Sequence, residues 1–183
     1  MSLSPTVQRE LIHERTIECK GYKRNDDLWD IEGHLIDIKS YDFPNHDRGG
    51  IAAGEPIHDM WLRITVDNDM LIHEAEAVTV SSPFNMCPNI TRNFTQLKGI
   101  QIKPGWRILV NKLLGGTQGC THLVELLNPL ATTAFQTIYP LISQEMTSAI
   151  PGKKPLLLGS CHTYASDSLV VKRQWTEHYD GDK

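Results

Sequence analysis

Between Ile57 and Asp67 the chain alternates strictly: Met60, Leu62, Ile64 and Val66 are interleaved with Trp61, Arg63 and Thr65. A period of two puts successive side chains on opposite faces of a pleat, so this segment is predicted as a half-buried strand. Asn68-Asp69 turns the chain. Met70–Val80 then returns, with Leu71, His73, Ala75 and Ala77 on one side and Glu74 and Glu76 on the other. Upstream, Leu28–Ile38 carries Trp29, Ile31, Gly33 and Leu35 on one face and Asp30, Glu32 and His34 on the other. Thr16-Ile17-Glu18-Cys19 precedes it across the turn signal Asn25-Asp26-Asp27, which predicts a hairpin. The first half therefore reads as a meander of about four antiparallel strands, with a Gly-, Asn- and Asp-bearing loop over Pro44–Pro56.

The period then changes. Ile90, Phe94 and Leu97 recur at helical spacing and predict a short helix over Pro88–Leu97. Pro104 suits the first turn of a second helix, with Trp106, Leu109, Val110 and Leu113 on its buried face and Gly115-Gly116 ending it. A third helix is expected to begin near Cys120 or Thr121, to be interrupted or kinked at Pro129, and to resume from Ala131 to Met146. Ser168-Leu169-Val170-Val171 reads as a last strand. Strands followed by helices predict an α+β fold, with three to four helices packed on one face of the meander. The expected organisation is a flexible tail over 1–14, one α+β domain over 15–150, a linker at 151–155 and a C-terminal extension over 151–183 packed on the same domain.

Composition narrows the class. In 183 residues, 40% are hydrophobic and 22% charged, which is enough apolar material for a core. The net charge of -4 and the lack of a basic block argue against nucleic acid, whose phosphates need clustered Lys and Arg. No apolar run approaches the ~20 residues of a membrane span. The polar first ten residues lack the apolar region of a secretory signal, so a cytoplasmic protein is expected. In such a compartment Cys19, Cys87, Cys120 and Cys161 are expected as reduced thiols or metal ligands.

The strongest chemical signal is Gly115-Gly116-Thr117-Gln118-Gly119-Cys120-Thr121-His122, followed by Glu125. The pattern places Cys120 at a helix N-terminus, where free N–H groups and the helix dipole favour a thiolate. Glu125 lies one turn beyond His122 on the same face. His58 and Asp59 open the clearest strand, on opposite faces, with His58 sharing the side of Met60 and Leu62. Cys87, in Asn85-Met86-Cys87-Pro88, starts another helix. If these element ends converge, His58, Cys87, Cys120 and His122 offer two thiolates and two imidazoles, a donor set for a divalent metal such as zinc or iron. Asp59 and Glu125 are candidate proton-transfer groups. Tyr22 and Arg24 are candidates for binding a substrate carboxylate or phosphate, and Trp61, with Trp29, for walling an apolar pocket. Cys161-His162 is a fourth, less constrained pair. P-loop, dinucleotide-binding, nucleophile-elbow and zincin motifs are absent.

Gly21-Tyr22-Lys23-Arg24, Asp30-Ile31-Glu32-Gly33, Gly54-Glu55-Pro56-Ile57-His58-Asp59-Met60-Trp61, Gly119-Cys120-Thr121-His122-Leu123-Val124-Glu125-Leu126-Leu127 and Ala131-Thr132-Thr133-Ala134-Phe135-Gln136-Thr137 resemble the hallmark segments of a bacterial domain-of-unknown-function family. That family is typical of bacteria that degrade aromatic and lipid compounds, so the resemblance implies a catabolic setting. A second similarity is to NifU-like iron–sulfur scaffolds, through Gly54–Asp59, Cys87, and Cys120 with His122. His58 stands where a scaffold has its first Cys, and Cys-x-His replaces His-Cys. These departures imply a mononuclear metal site in a NifU-like fold.

The reading that follows is a metal-dependent lyase or hydrolase acting on a small aromatic or acyl substrate. The alternatives are an iron–sulfur or metal carrier, a metal-free enzyme with Cys120 as nucleophile and His122 as base, and a ligand-binding module without catalysis. The expected partner is a small molecule rather than nucleic acid or membrane, with association into a homo-oligomer left open.

Overall fold

The computed structural model describes residues 3–146 and 155–181. Four strands, β1 (His13–Lys23), β2 (Trp29–Lys39), β3 (Pro56–Val66) and β4 (Ile72–Ser81), form one antiparallel sheet in the order β1-β2-β3-β4. The meander expected from the alternation is thus present. β1 is longer than its four-residue β-like core and begins at His13, within the stretch expected as a tail. Every residue of it has a partner, from His13 opposite Lys39 to Lys23 opposite Trp29.

Strand parity sets the two faces. In β2, Trp29, Ile31, Gly33, Leu35 and Asp37 are buried while the intervening residues are half-exposed. In β3 the inner row is Met60, Leu62, Ile64 and Val66. Thr65 lies in the opposite row yet is buried, and its hydroxyl donates to Asp30 at 2.6 Å. Asp27 and Met70 take positive φ of 62° and 63° in the two hairpin turns. Trp29 ties those turns together, its indole N–H donating to Asn68 Oδ1 at 2.8 Å.

The helices cover the inner face. A 3₁₀ helix over Cys87–Leu97 buries Phe94 and Leu97. It starts at Cys87 rather than Pro88, and its turns are tighter than the α-helix expected. Helix α1 (Trp106–Leu114) buries Trp106, Val110 and Leu114, and stops at Gly115, whose N–H caps Asn111. Leu114, rather than the predicted Leu113, completes the buried stripe. Helix α2 (Thr121–Met146) runs unbroken through Pro129 and Pro140. A mid-helix proline costs about 3 kcal/mol. Here Leu123, Leu126, Leu127, Leu130, Ala134 and Ile138 are all buried at helical spacing, and packing six such residues outweighs that cost.

α2 lies in a seam made by small residues. A Cβ added to Gly33 would stand 3.2 Å from Leu130 and 3.4 Å from Leu126, and one on Gly21 would stand 2.1 Å from Thr137 Oγ1. Gly21 and Gly33 both lie on the inner face, on β1 and β2. The seam therefore runs from the N-terminal half of α2 over β2 toward its later turns over β1.

The chain divides into two compact units, Met1–Ile142 and Ser143–Lys183. In the second, α3 (Leu169–Gln174) occupies the segment expected as a last strand. Ser168 decides this: its side chain caps the helix by accepting from the Val171 N–H at 3.2 Å, which outweighs the β-preference of Val170 and Val171. Val171 is buried, and the Tyr164 and Trp175 rings stand 5.4 Å apart. Residues 151–154 of the expected linker lie outside the described residues. Among the described residues no helix is long and apolar enough to cross a membrane.

Candidate functional site

Asp37 continues the inward row of β2, and its side chain is only 2% exposed. Antiparallel pairing sets Arg15 of β1 directly opposite it on one side and His58 of β3 on the other. Directly opposed residues point to the same face, so the three form a row across three strands. Arg15 grips the carboxylate as a fork, Nε to Oδ1 at 2.7 Å and Nη2 to Oδ2 at 2.8 Å. His58 Nδ1 meets Oδ2 at 2.9 Å. His13, next on the inward face of β1, places Nε2 3.3 Å from Oδ1. A register shift follows between Asp37 and Ile38. Irregularities of this kind re-aim side chains at the end of a ladder.

The first turn of α2 closes the site from above. His122 Nε2 is 3.8 Å from Asp37 Oδ2, and its ring lies against that of His58, centroids 3.7 Å apart and tilted by 31°. Its other nitrogen, Nδ1, is 3.8 Å from Cys120 Sγ, which in turn lies 4.0 Å from Met60 Sδ. Cys120 is the cap residue of α2, its carbonyl accepting the first helical bond, from the Val124 N–H at 2.9 Å. One turn on, Glu125 forms an ion pair with the free end of Arg15.

The electrostatics favour a carboxylate between neutral imidazoles. Burial alone pushes Asp37 up, but the hydrogen bonds and charge of Arg15, and then those of His58, outweigh it and hold the carboxyl below its ordinary value. Burial pushes His58 down, and His122 adds to this against the opposing pull of Asp37. Burial likewise lowers His122, helped by the Arg15 charge and opposed by Asp37 and Glu125. Neutral imidazole is the form that binds metal.

Among the described residues Asp37, His58 and His122 form a group whose donor atoms all lie within 4.8 Å of one another. Two ligands about 2.1 Å from a tetrahedral ion stand about 3.4 Å apart. The Asp37 distances to His58 and His122, 2.9 and 3.8 Å, bracket that value. Two imidazoles and one carboxylate also match the donor set of many zinc and ferrous sites. The triad opens into a cleft of about 320 Å³ lined by His13, Arg15, Lys39, Phe43, Ile57, Pro83 and Phe84 as well as the triad itself. A second hollow of about 340 Å³, between β3, β4 and the 3₁₀ helix, holds no such cluster, and its Arg63 is paired with Glu76.

The structure thus gathers part of the sequence-predicted set. His58 and His122 come together as expected, and Asp37 rather than a thiolate completes the group that could hold a metal ion. Cys120 Sγ stands 3.8 Å from the His122 nitrogen turned away from Asp37, outside the Asp37–His58–His122 group. Cys87 begins the 3₁₀ helix and lies outside the group. Asp59 projects to the outer face, where it bonds His34 Nε2 at 2.7 Å, and Trp61 on the same face stacks on His34 with centroids 3.8 Å apart. Glu125 reaches the site through Arg15. Tyr22 and Arg24 sit at the other end of the sheet. The Arg24 guanidinium is spent on Asp26 and Asp30 across the hairpin turn, at 2.7 to 3.2 Å. Cys161 is exposed in the second unit. Asp37, Arg15 and His13 were missed. Parity marked Asp37, because carrying the Trp29-to-Leu35 row two residues further puts a carboxylate inside.

Fold and site together describe an α+β protein with an Asp/His/His cluster in a small cleft at one end of its sheet. The chain belongs to the family of proteins of unknown function DUF2889, which it matches over residues 13–136. That span holds all four strands and every residue of the cluster. No curated protein and no solved structure matches the chain.

Proposed function

We propose that the cluster binds one divalent cation, zinc or ferrous iron, and that the protein is a metal-dependent enzyme of lyase or hydrolase type acting on a small acyl or aromatic compound. The observation that carries this is the Asp37–His58–His122 group, inward-facing, within 4.8 Å and open to a cleft. A cation there would act as a Lewis acid on a substrate oxygen or on water. Arg15 orients Asp37 through its fork and links it to Glu125, which is placed to exchange protons with solvent. A NifU-like cluster scaffold is less well supported, because iron–sulfur clusters are held chiefly by thiolates and Cys87 stands outside the group.

The test is metal analysis of untagged protein after loading with zinc or ferrous iron. One cation per chain is expected, lost in Asp37→Ala, His58→Ala and His122→Ala. Protein that stays metal-free after loading with either ion overturns the reading. A second reading is favoured by one observation: His122 stands between Cys120 and Asp37, its Nδ1 3.8 Å from the thiol and its Nε2 3.8 Å from the carboxylate. Such an arrangement suits a thiol nucleophile with an oriented base. Metal-free protein in which iodoacetamide labels Cys120 far faster than Cys87 would support it.

A further inference from the structure

The cleft contains one cation that neither the triad nor its supports use. Lys39 lies on β2 two residues beyond Asp37 and lines the same cleft. Among the described residues it forms no ion pair. Its ammonium rests near two aromatic rings instead, 5.2 Å from the Tyr41 centroid and 5.8 Å from that of Phe43. Exposed contacts of this kind are weak, so the ammonium is readily redirected to a stronger partner.

The geometry points to Lys39 as the anchor for a carboxylate group on a small, otherwise apolar ligand of the cleft. This inference rests on the cleft being the working site and names the class of compound it takes. Charge comes first. Arg15 and Lys39 face a single full anion in the lining, Asp37, in a chain whose net charge is -4. Arg15 is already bound by Asp37 and Glu125, whereas Lys39 is available. Shape comes second. At about 320 Å³ the cleft lies at the small end of ligand sites, about 300–1,000 Å³. Its wall at Phe43, Ile57, Pro83 and Phe84 presents no charge, which suits a hydrocarbon body. Position comes third. Two residues along a strand span about 7 Å, so a carboxylate held at Lys39 leaves the atoms two or three bonds away over the triad.

The test uses the full chain, metal-free and zinc-loaded, with four probes of similar size: benzoate, hexanoate, benzyl alcohol and benzylamine. Binding is followed by amide chemical shifts. Benzoate and hexanoate should saturate both forms and shift Lys39, Phe43 and Phe84. Benzyl alcohol and benzylamine should bind at least tenfold more weakly. Lys39→Met should weaken benzoate at least tenfold while zinc loading stays unchanged and the melting temperature falls by no more than a few degrees, and Lys39→Arg should restore most of the affinity. Equal binding of benzoate and benzyl alcohol, no effect of Lys39→Met, or carboxylate binding confined to the zinc-loaded form each overturns the inference. Zinc loading is measured separately on the same samples. Failure of the metal reading therefore shows as absent zinc with carboxylate binding retained.

Discussion

Asp37 and His58 face one another on adjacent strands, Oδ2 to Nδ1 at 2.9 Å, as a directly paired couple in the β2–β3 ladder. Two of the three candidate donors therefore come from regular sheet, with no loop needed to position them. Asp37→Asn keeps the shape but replaces a carboxylate gripped by Arg15 with a neutral amide. Hydrogen bonds to charged groups contribute about 1.5–3 kcal/mol each, and relaxation around the half-exposed Arg15 recovers part of that. A loss of about 2 kcal/mol in urea unfolding is expected, together with loss of zinc loading if the group binds the metal as proposed. A variant as stable as the parent would show that the fork contributes little.

His122 presents different atoms to different partners, Nε2 to Asp37 and Nδ1 to Cys120. His122→Ala should abolish zinc loading. Cys120→Ala should only weaken it, by about 10–100-fold, the usual effect of removing a group that orients a ligand. Asp59→Asn, on the other face of the sheet, should leave it unchanged. Equal losses in the Cys120 and His122 variants would place the thiol in the donor group after all.

The pH dependence follows from the directions of the shifts. His58 and His122 are both depressed in the folded protein, so the unfolded chain takes up their protons first as pH falls. Stability of the metal-free protein should therefore begin to fall below about pH 6.5, the ordinary histidine value. Asp37 is also depressed, so a further loss should set in below about pH 4 and continue as the pH drops through its folded value. Urea titrations at several pH values, with His58→Gln and His122→Gln as controls, measure this. Stability that rises between pH 7 and 5 would contradict it.

The seam under α2 makes a separate prediction. A methyl on Gly21 meets the Thr137 side chain at 2.1 to 2.8 Å, with its Cβ as well as its hydroxyl in the way. Gly21→Ala should cost about 1–3 kcal/mol, the range for overpacking a tight interface. Gly21→Ala combined with Thr137→Ala should recover part of it, because Oγ1 and Cγ2 are removed while the Cβ at 2.8 Å remains. A Gly21→Ala protein that melts with the parent would mean that α2 shifts freely.

Most of the sheet was legible because period-two patterning is a local signal, and Met60 to Val66 or Trp29 to Leu35 carry it plainly. The same rule puts His58 and Asp59 on opposite faces. Cys87 and Cys120 share positions at helix starts, but such positions say nothing about distance in space, and neither thiol falls in the Asp37–His58–His122 group. Arg15 was hidden because β1 is an edge strand, exposed nearly throughout, with little alternation to mark its inward side. Ser168 was read by the β-branched residues after it, and its capping oxygen decided otherwise. Pro129 misled because the buried stripe of α2 continues on both sides of it, from Leu123 through Leu130 and Ala134 to Ile138.

The glycine seam has one more consequence. With Leu130 packed 3.2 Å from where a Cβ on Gly33 would stand, α2 sits close on β2, and His122 rides on the first turn of that same helix. The gap between the helix-borne imidazole and the strand-borne Asp37 is therefore gauged several residues from the donors, by two missing side chains. The same three donors on a wider seam would suit a larger ion or none. Discrimination by ionic radius would then be inherited from glycine, and the place to tune it is under the helix.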